Sequence, residues 1–290
     1  MKIRLISILL IFSALIVFFT QSCASAKYER QMKKIPQSFV PAKHLVFIGL
    51  DGWGGAYVAK AKMPTVKRMM TGGAYSLGVQ NIMPSECWPN WTSLFYGAPP
   101  ERRGRKNFPS IFTLLENSGQ TAALFYELDK LEELCPDSAA EKQEILTNVE
   151  SAKKIAAYIT EQKPVFTAIV FNEPEVTGHS RRWGSVEYYA KLKELDGYIA
   201  IIEQAVKDAE IYDSTIFIFS ADHGGSLYFH ESDTPVKRKI PFIVFGNGIK
   251  EGFKIMSPIN IYDITPTMAA ILGLDIPSVW SGRIVYEIFK

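Results

Sequence analysis

Acidic and imidazole side chains gather where apolar runs of this chain stop. Leu50 is followed by Asp51, Phe171 by Asn172-Glu-Pro-Glu175-Val-Thr-Gly-His179, and Ser220-Ala221 by Asp222-His223-Gly-Gly, with His230 a few residues on. Three of the four histidines fall in these stretches, while His44 flanks the first run. Carboxylate oxygens and imidazole nitrogens are the natural ligands of Zn²⁺ and similar ions. Taken singly, an Asp after a strand is a turn or cap residue, Glu175 and His179 are a helical surface pair, and Asp-His-Gly is a turn. Their recurrence at three run ends points instead to a metal centre.

The runs that carry them set the fold. His44–Leu50, Val165–Phe171, Thr215–Phe219 and Ile240–Phe245 are continuously apolar, as in strands buried on both faces of a parallel sheet. A strand is also expected over Thr121–Phe125, and helices over Met63–Met70, Ile111–Asn117, Ser138–Gln162, Tyr188–Asp208 and Ile264–Leu272. The alternation predicts an α/β fold, a mostly parallel central sheet with helices on both faces. In such sheets ligands bind beyond the carboxyl ends of the strands, where the acidic and imidazole groups lie.

The 290 residues suffice for one large domain. The net charge of +2, with Lys2 and Arg4 at the extreme N-terminus, argues against a nucleic-acid polymer as partner. The N-terminus reads as an export signal: a basic Met1-Lys-Ile-Arg4, an apolar stretch from Leu5 to Phe19 too short to span a bilayer, then Thr20-Gln-Ser-Cys23-Ala-Ser-Ala26. Small residues beside Cys23 resemble a bacterial lipoprotein box, and Ala24-Ser-Ala26 also fits an ordinary signal-peptidase site. The expected organisation is a signal peptide over 1–22, a tether over 23–43 and a catalytic domain over 44–290. The expected product is an exported bacterial lipoprotein of the periplasm or outer membrane, held to the membrane only by lipid on Cys23. Cys87 and Cys135 remain, as a pair or as independent thiols.

Gly49-Leu-Asp51-Gly, Asp222-His223-Gly-Gly, the loop Pro84-Ser-Glu-Cys87-Trp-Pro-Asn-Trp-Thr-Ser and the segment Tyr262-Asp-Ile-Thr-Pro-Thr together resemble the alkaline phosphatase superfamily, nearest its nucleotide pyrophosphatase/phosphodiesterase branch. The resemblance runs from about residue 44 to the C-terminus. It implies a two-metal hydrolase of small phosphate esters using two divalent ions, zinc being expected. One ion would be held by Asp51, Asp222, His223 and the nucleophile, the other by Glu175, His179 and His230. The nucleophile position falls on Cys87, where the branch has Thr or Ser, and Glu175 stands where the family has Asp. Asn107 is the candidate for gripping a phosphate oxygen, and the cations from Arg102 to Lys106 read equally as a solvated loop. Trp53, Trp88, Trp91, Tyr228 and Phe229 are candidates to stack a base or line an apolar group. Cys87-Trp-Pro89 also resembles the sulfatase signature, with Trp91 where that signature has Arg. Sulfatase activity, or a metal-binding surface lipoprotein without turnover, are the alternative readings.

Overall fold

The computed structural model describes residues 26–102, 108–136 and 141–290. Its centre is one eight-stranded sheet: β1 (His44–Leu50), β2 (Ala74–Gln80), β3 (Ala122–Tyr126), β4 (Glu141–Glu144), β5 (Phe166–Phe171), β6 (Thr215–Ser220), β7 (Lys239–Gly246) and β8 (Phe253–Lys254), in the order β4-β3-β5-β1-β6-β7-β2-β8. Only β7 runs against its neighbours. Around the sheet lie helices α1 (residues 26–32), α2 (Gly55–Val58), α3 (Pro64–Thr71), α4 (Cys87–Tyr96), α5 (Ile111–Asn117), α6 (Val149–Gln162), α7 (Glu175–Arg181), α8 (Val186–Asp208), α9 (Pro235–Arg238) and α10 (Ile264–Ile271). The long α8 packs on α3, α6 and α7, and α4 packs on α10. Among the described residues no helix is long and apolar enough to cross a membrane.

The apolar runs behave as their composition predicts. β5 and β6 are buried throughout, and β1 is buried except at His44, whose Nδ1 lies 2.9 Å from the carbonyl of Pro164. β1 pairs in parallel with both, Leu50 opposite Phe171 and Gly49 opposite Ser220. Two residues further on, Asp51 and Asp222 therefore leave the sheet side by side.

Three features differ from what the sequence alone suggests. The helix expected over Ser138–Gln162 begins only at Val149, where the Asn148 side chain caps it by accepting from the Ser151 N–H. Glu141–Glu144 instead forms the edge strand β4. Its charged side chains can stay in water on a sheet edge, so backbone pairing overrides their helical preference. β2 was not anticipated; it lies on the far side of β7, and its alternating burial gives a weaker signal than the continuous runs. Finally, the described part of the tether expected over 23–43 packs onto the domain. Buried Tyr28 donates to the carbonyls of Trp280 and Gly282, the Lys27 ammonium to those of Ser281 and Gly282, and Phe39 meets Phe289 edge-on with centroids 4.5 Å apart. Apolar Tyr28, Ile35 and Phe39, spaced among polar residues, supply the contact. Cys23 and the export signal lie outside the described residues.

Tyr28→Phe keeps the ring and removes both hydrogen bonds, so it should lower unfolding free energy by about 1–2 kcal/mol. Chemical denaturation of the full chain measures it, and an unchanged midpoint would mean that these two hydrogen bonds add nothing to the domain's stability.

Candidate metal centre

Each ligand candidate is placed by the backbone that ends a strand. After β1 the chain turns at Gly52, whose φ of +71° is a left-handed conformation. A side chain there would also strike Glu175, with Cβ atoms 2.9 Å apart. The turn aims the Gly52 N–H at Asp222 Oδ1, 3.1 Å away, which also accepts from the His223 N–H at 2.8 Å. Asp51 Oδ2 accepts from the indole N–H of Trp91 at 3.0 Å. After β5, α7 carries Glu175 and His179 one turn apart on one face. After β6 come Asp222 and His223. Because β7 returns antiparallel beside β6, the connection between them stays at this edge and brings His230 back to the centre. Cys87 opens α4, and the Asn90 side chain ties that helix to the preceding loop through the Ile82 N–H and the carbonyls of Ile82 and Glu86.

The side chains meet in two overlapping groups, Asp51 with Cys87, Asp222 and His223, and Cys87 with Glu175, His223 and His230; within each, one ligand atom per residue lies within 4.8 Å of every other. Cys87 Sγ is 3.3 Å from His223 Nε2 and 3.5 Å from both Glu175 oxygens. His179 sits at the rim, its side chain 41% exposed, with Nε2 3.3 Å from Glu175 Oε1. The structure thus brings together all seven ligand candidates, with His223 and Cys87 common to both groups. Asn107 and Arg103 to Lys106 lie outside the described residues. Of the aromatic candidates, Trp53 and Trp91 are buried in the core, whereas Trp88, Tyr228 and Phe229 are exposed.

The donor set fits a cation. Asp51 Oδ1 and Asp222 Oδ2 are buried with no hydrogen-bond partner, an arrangement that native proteins avoid unless something else satisfies the group. His179, His223 and His230 each direct Nδ1 at a backbone carbonyl, of Tyr228, Gly224 and Ser85 respectively. If Nδ1 carries the proton, as those carbonyls require, each Nε2 presents a lone pair. All three point at Glu175 Oε1, at 3.3, 3.5 and 3.3 Å. Lone pairs facing a carboxylate repel unless a cation lies among them, and an imidazole oriented through its other nitrogen is the usual state of a metal-ligating histidine.

Electrostatics point the same way. Burial first, then the charges of Asp222 and Glu175, push the Asp51 carboxyl well above its ordinary pKa, and burial with Glu175 does the same to Asp222. Burial pushes His223 down to about 4, against the pull of Glu175. Burial, then Asp51, Asp222 and Glu175, push the Cys87 thiol up. Burial also opposes ionisation of Glu175, yet a hydrogen bond from the Asp51 carboxyl, first among its surroundings, holds it below the ordinary carboxylate range. Without a cation the centre is crowded with negative charge, and a divalent ion would relieve it.

Sequence reasoning missed two contributors. Asn90 holds Cys87's helix against its loop, and Trp183 donates its indole N–H to the Gly52 carbonyl at 2.9 Å while its ring meets His179 edge-on. Neither carries a ligand-type side chain, so no spacing rule singles them out.

A protein-family model described as Sulfatase matches residues 138–274, and one described as Type I phosphodiesterase / nucleotide pyrophosphatase matches residues 45–107. Human arylsulfatase K is 32% identical over 100 residues, 33% of this chain and 19% of its own length. GPI ethanolamine phosphate transferase 1 of Emericella nidulans is 26% identical over 189 residues, 55% of this chain and 20% of its own length. The matched region thus spans about a fifth of these relatives. Murine ectonucleotide pyrophosphatase/phosphodiesterase 5, solved as an inactive form in complex with AMP, superposes with a TM-score of 0.73 at 13% identity, covering 86% of this chain and 100% of that one. A 2-O GAG sulfatase superposes with a TM-score of 0.72 at 14% identity, covering 84% and 73%. At such identities the likeness is one of fold.

Asp222→Asn retains an oxygen to accept from Gly52 and His223 but removes a buried charge. A carboxyl whose folded pKa is raised contributes stability that is complete below its ordinary pKa and is lost as pH rises through the folded value. The metal-free variant should therefore be more stable than metal-free wild type by about 1–2 kcal/mol at pH 7, with the gap closing towards acid pH. It should also lose most of any melting-temperature rise that added zinc produces in the wild type. Calorimetry with and without zinc measures both effects, and a variant less stable at every pH would contradict this account of the charge crowding.

Proposed function

We propose, on the chain's membership of the alkaline phosphatase superfamily, that it is a two-metal phosphodiesterase acting on small phosphate diesters, with Cys87 as nucleophile. The observation that carries the reading is the position of Cys87 Sγ, common to both ligand groups and at the N-terminus of α4. Glu86 caps that helix without a side-chain hydrogen bond, and the free N–H groups of its first turn favour a phosphate oxygen. Asp51, Asp222, His223 and Cys87 would hold one divalent ion, and Glu175, His179 and His230 the other. The mixed sulfur, nitrogen and oxygen donors suit zinc. When bound, the ions would neutralise charge on the phosphate and on the leaving oxygen and favour thiolate over thiol.

The residues then divide the work. Cys87 thiolate attacks phosphorus; the P–S bond forms as one P–O ester bond breaks, and the departing alkoxide takes a proton to become the alcohol. Water then attacks phosphorus and gives up a proton, the P–S bond breaks, and the thiolate is restored. Asn90 and the Trp91–Asp51 hydrogen bond hold α4 so that Sγ stays at the centre. The match of residues 45–107 to the Type I phosphodiesterase / nucleotide pyrophosphatase model favours a singly charged diester over a doubly charged monoester. Export as a lipoprotein anchored through Cys23 remains part of this reading.

A sulfatase is the second reading, favoured by the family match over residues 138–274. Against it stands Trp91, which fills the position of the signature arginine, is buried, and is committed to Asp51.

Cys87→Ser should fold as wild type and keep or raise diesterase activity. Cys87→Ala should lose at least about a hundredfold in kcat. Peptide mass spectrometry should find cysteine, not formylglycine, at position 87. Ser and Ala variants with identical turnover and metal content would remove Cys87 from the chemistry, and a sulfate ester cleaved in preference to every phosphate diester would move the protein to the second reading. A monoester turned over about tenfold faster than any diester would overturn the diester preference.

A further inference from the structure

Trp183 lies outside every ligand group, yet the three strand-end segments that carry ligands close around it. Three glycines line its indole, one from each segment: Gly52 beside Asp51, Gly178 beside His179, and Gly225 two residues after His223. A Cβ at Gly225 would lie 2.2 Å from Trp183 Cε2, one at Gly178 2.5 Å from the same atom, and one at Gly52 3.3 Å from Cζ2. The first two spaces exist only because those residues lack side chains. The indole N–H donates to the Gly52 carbonyl at 2.9 Å, and Gly52's own N–H holds Asp222. The Trp183 backbone N–H donates to the Leu227 carbonyl at 2.8 Å. The next residue, Tyr228, provides the carbonyl 2.9 Å from His179 Nδ1. The ring meets His179 edge-on at 4.8 Å between centroids and His230 at 6.2 Å.

His179 is the candidate ligand with most need of such support, because its side chain is 41% exposed whereas those of His223 and His230 are buried. An exposed imidazole on a seven-residue helix has few neighbours to fix its rotamer. Here one side is closed by Trp183 and Nδ1 is held by a loop that Trp183 itself anchors.

We propose that Trp183 is the positioning residue of this centre: it locks the His179 imidazole with Nε2 facing Glu175 and ties the segment carrying it to the Gly52 turn. Its role in metal affinity rests on the two-metal reading above; its role in fixing His179 does not.

The test uses the full chain. ¹⁵N imidazole spectra of metal-free protein read the His179 tautomer, and zinc titration against a chromophoric chelator reads each metal equivalent. In metal-free wild type Nδ1 keeps its proton, donated to the Tyr228 carbonyl, whatever proton Nε2 takes up beside Glu175. In Trp183→Leu both tautomers should appear, and the second zinc equivalent should weaken by about tenfold or more while the first stays within about threefold. Trp183→Phe keeps a ring in the glycine slot without the N–H and should fall between the two; if the Leu variant does not fold, the Phe variant decides alone. Tyr188→Phe removes the other donor to the Gly52 carbonyl without touching His179, and should match wild type. Wild-type tautomer and affinities in the Trp183 variants would overturn the proposal, as would a Tyr188→Phe loss as large as theirs. Wild type binding only one zinc would defeat the two-metal reading, and the tautomer measurement would then decide the role of Trp183 by itself.

Discussion

Asp51, Asp222 and Glu175 are three carboxyls buried within a few ångströms of one another, and among the described residues their recorded ion pairs are all with histidines. Burying like charges together is among the costliest arrangements a fold can hold. Much of the surrounding architecture bears on that cost. Backbone N–H groups from Gly52 and His223 support one Asp222 oxygen, and the Trp91 indole supports one Asp51 oxygen, while the opposite oxygen of each is left bare towards the centre. Free energy given up in this way is typical of sites prepared for a charged ligand.

A rigid sheet makes such a centre possible. Parallel register between β1 and β6 sets Asp51 level with Asp222, and the close-packed faces of β1, β5 and β6 resist slippage, since a one-residue shift would put every side chain into a space shaped for its neighbour. The antiparallel return of β7 keeps the whole 221–238 connection at the same edge, so His223 and His230 stack with ring centroids 4.0 Å apart despite their separation in sequence. On the other side of the centre, α4 runs from Cys87 to a left-handed Gly97, against which Trp280 packs and whose carbonyl accepts from the N–H groups of Ser281 and Gly282. Those last two residues also supply carbonyls to Lys27 and Tyr28, so the N-terminal segment braces the far end of the helix that presents Cys87.

The sequence by itself determined the sheet's central strands and the ligand candidates, because both are local signals. Continuous apolar runs such as Val165–Phe171 and Thr215–Phe219 can be satisfied only by burial on two faces, and side chains of ligand type at their ends announce themselves by chemistry. Tertiary structure decided what local patterns cannot encode. It turned Glu141–Glu144 into an edge strand against its helical composition, reversed β7, and seated residues 26–43 on the domain. It also made Cys87 and His223 common to both ligand groups, set His179 at the rim, and gave Trp183 its place among three glycines. In each case the outcome depends on what lies opposite in space, a neighbouring strand's backbone, an orphaned oxygen or a missing Cβ, and none of these is written in the residues beside it in the chain.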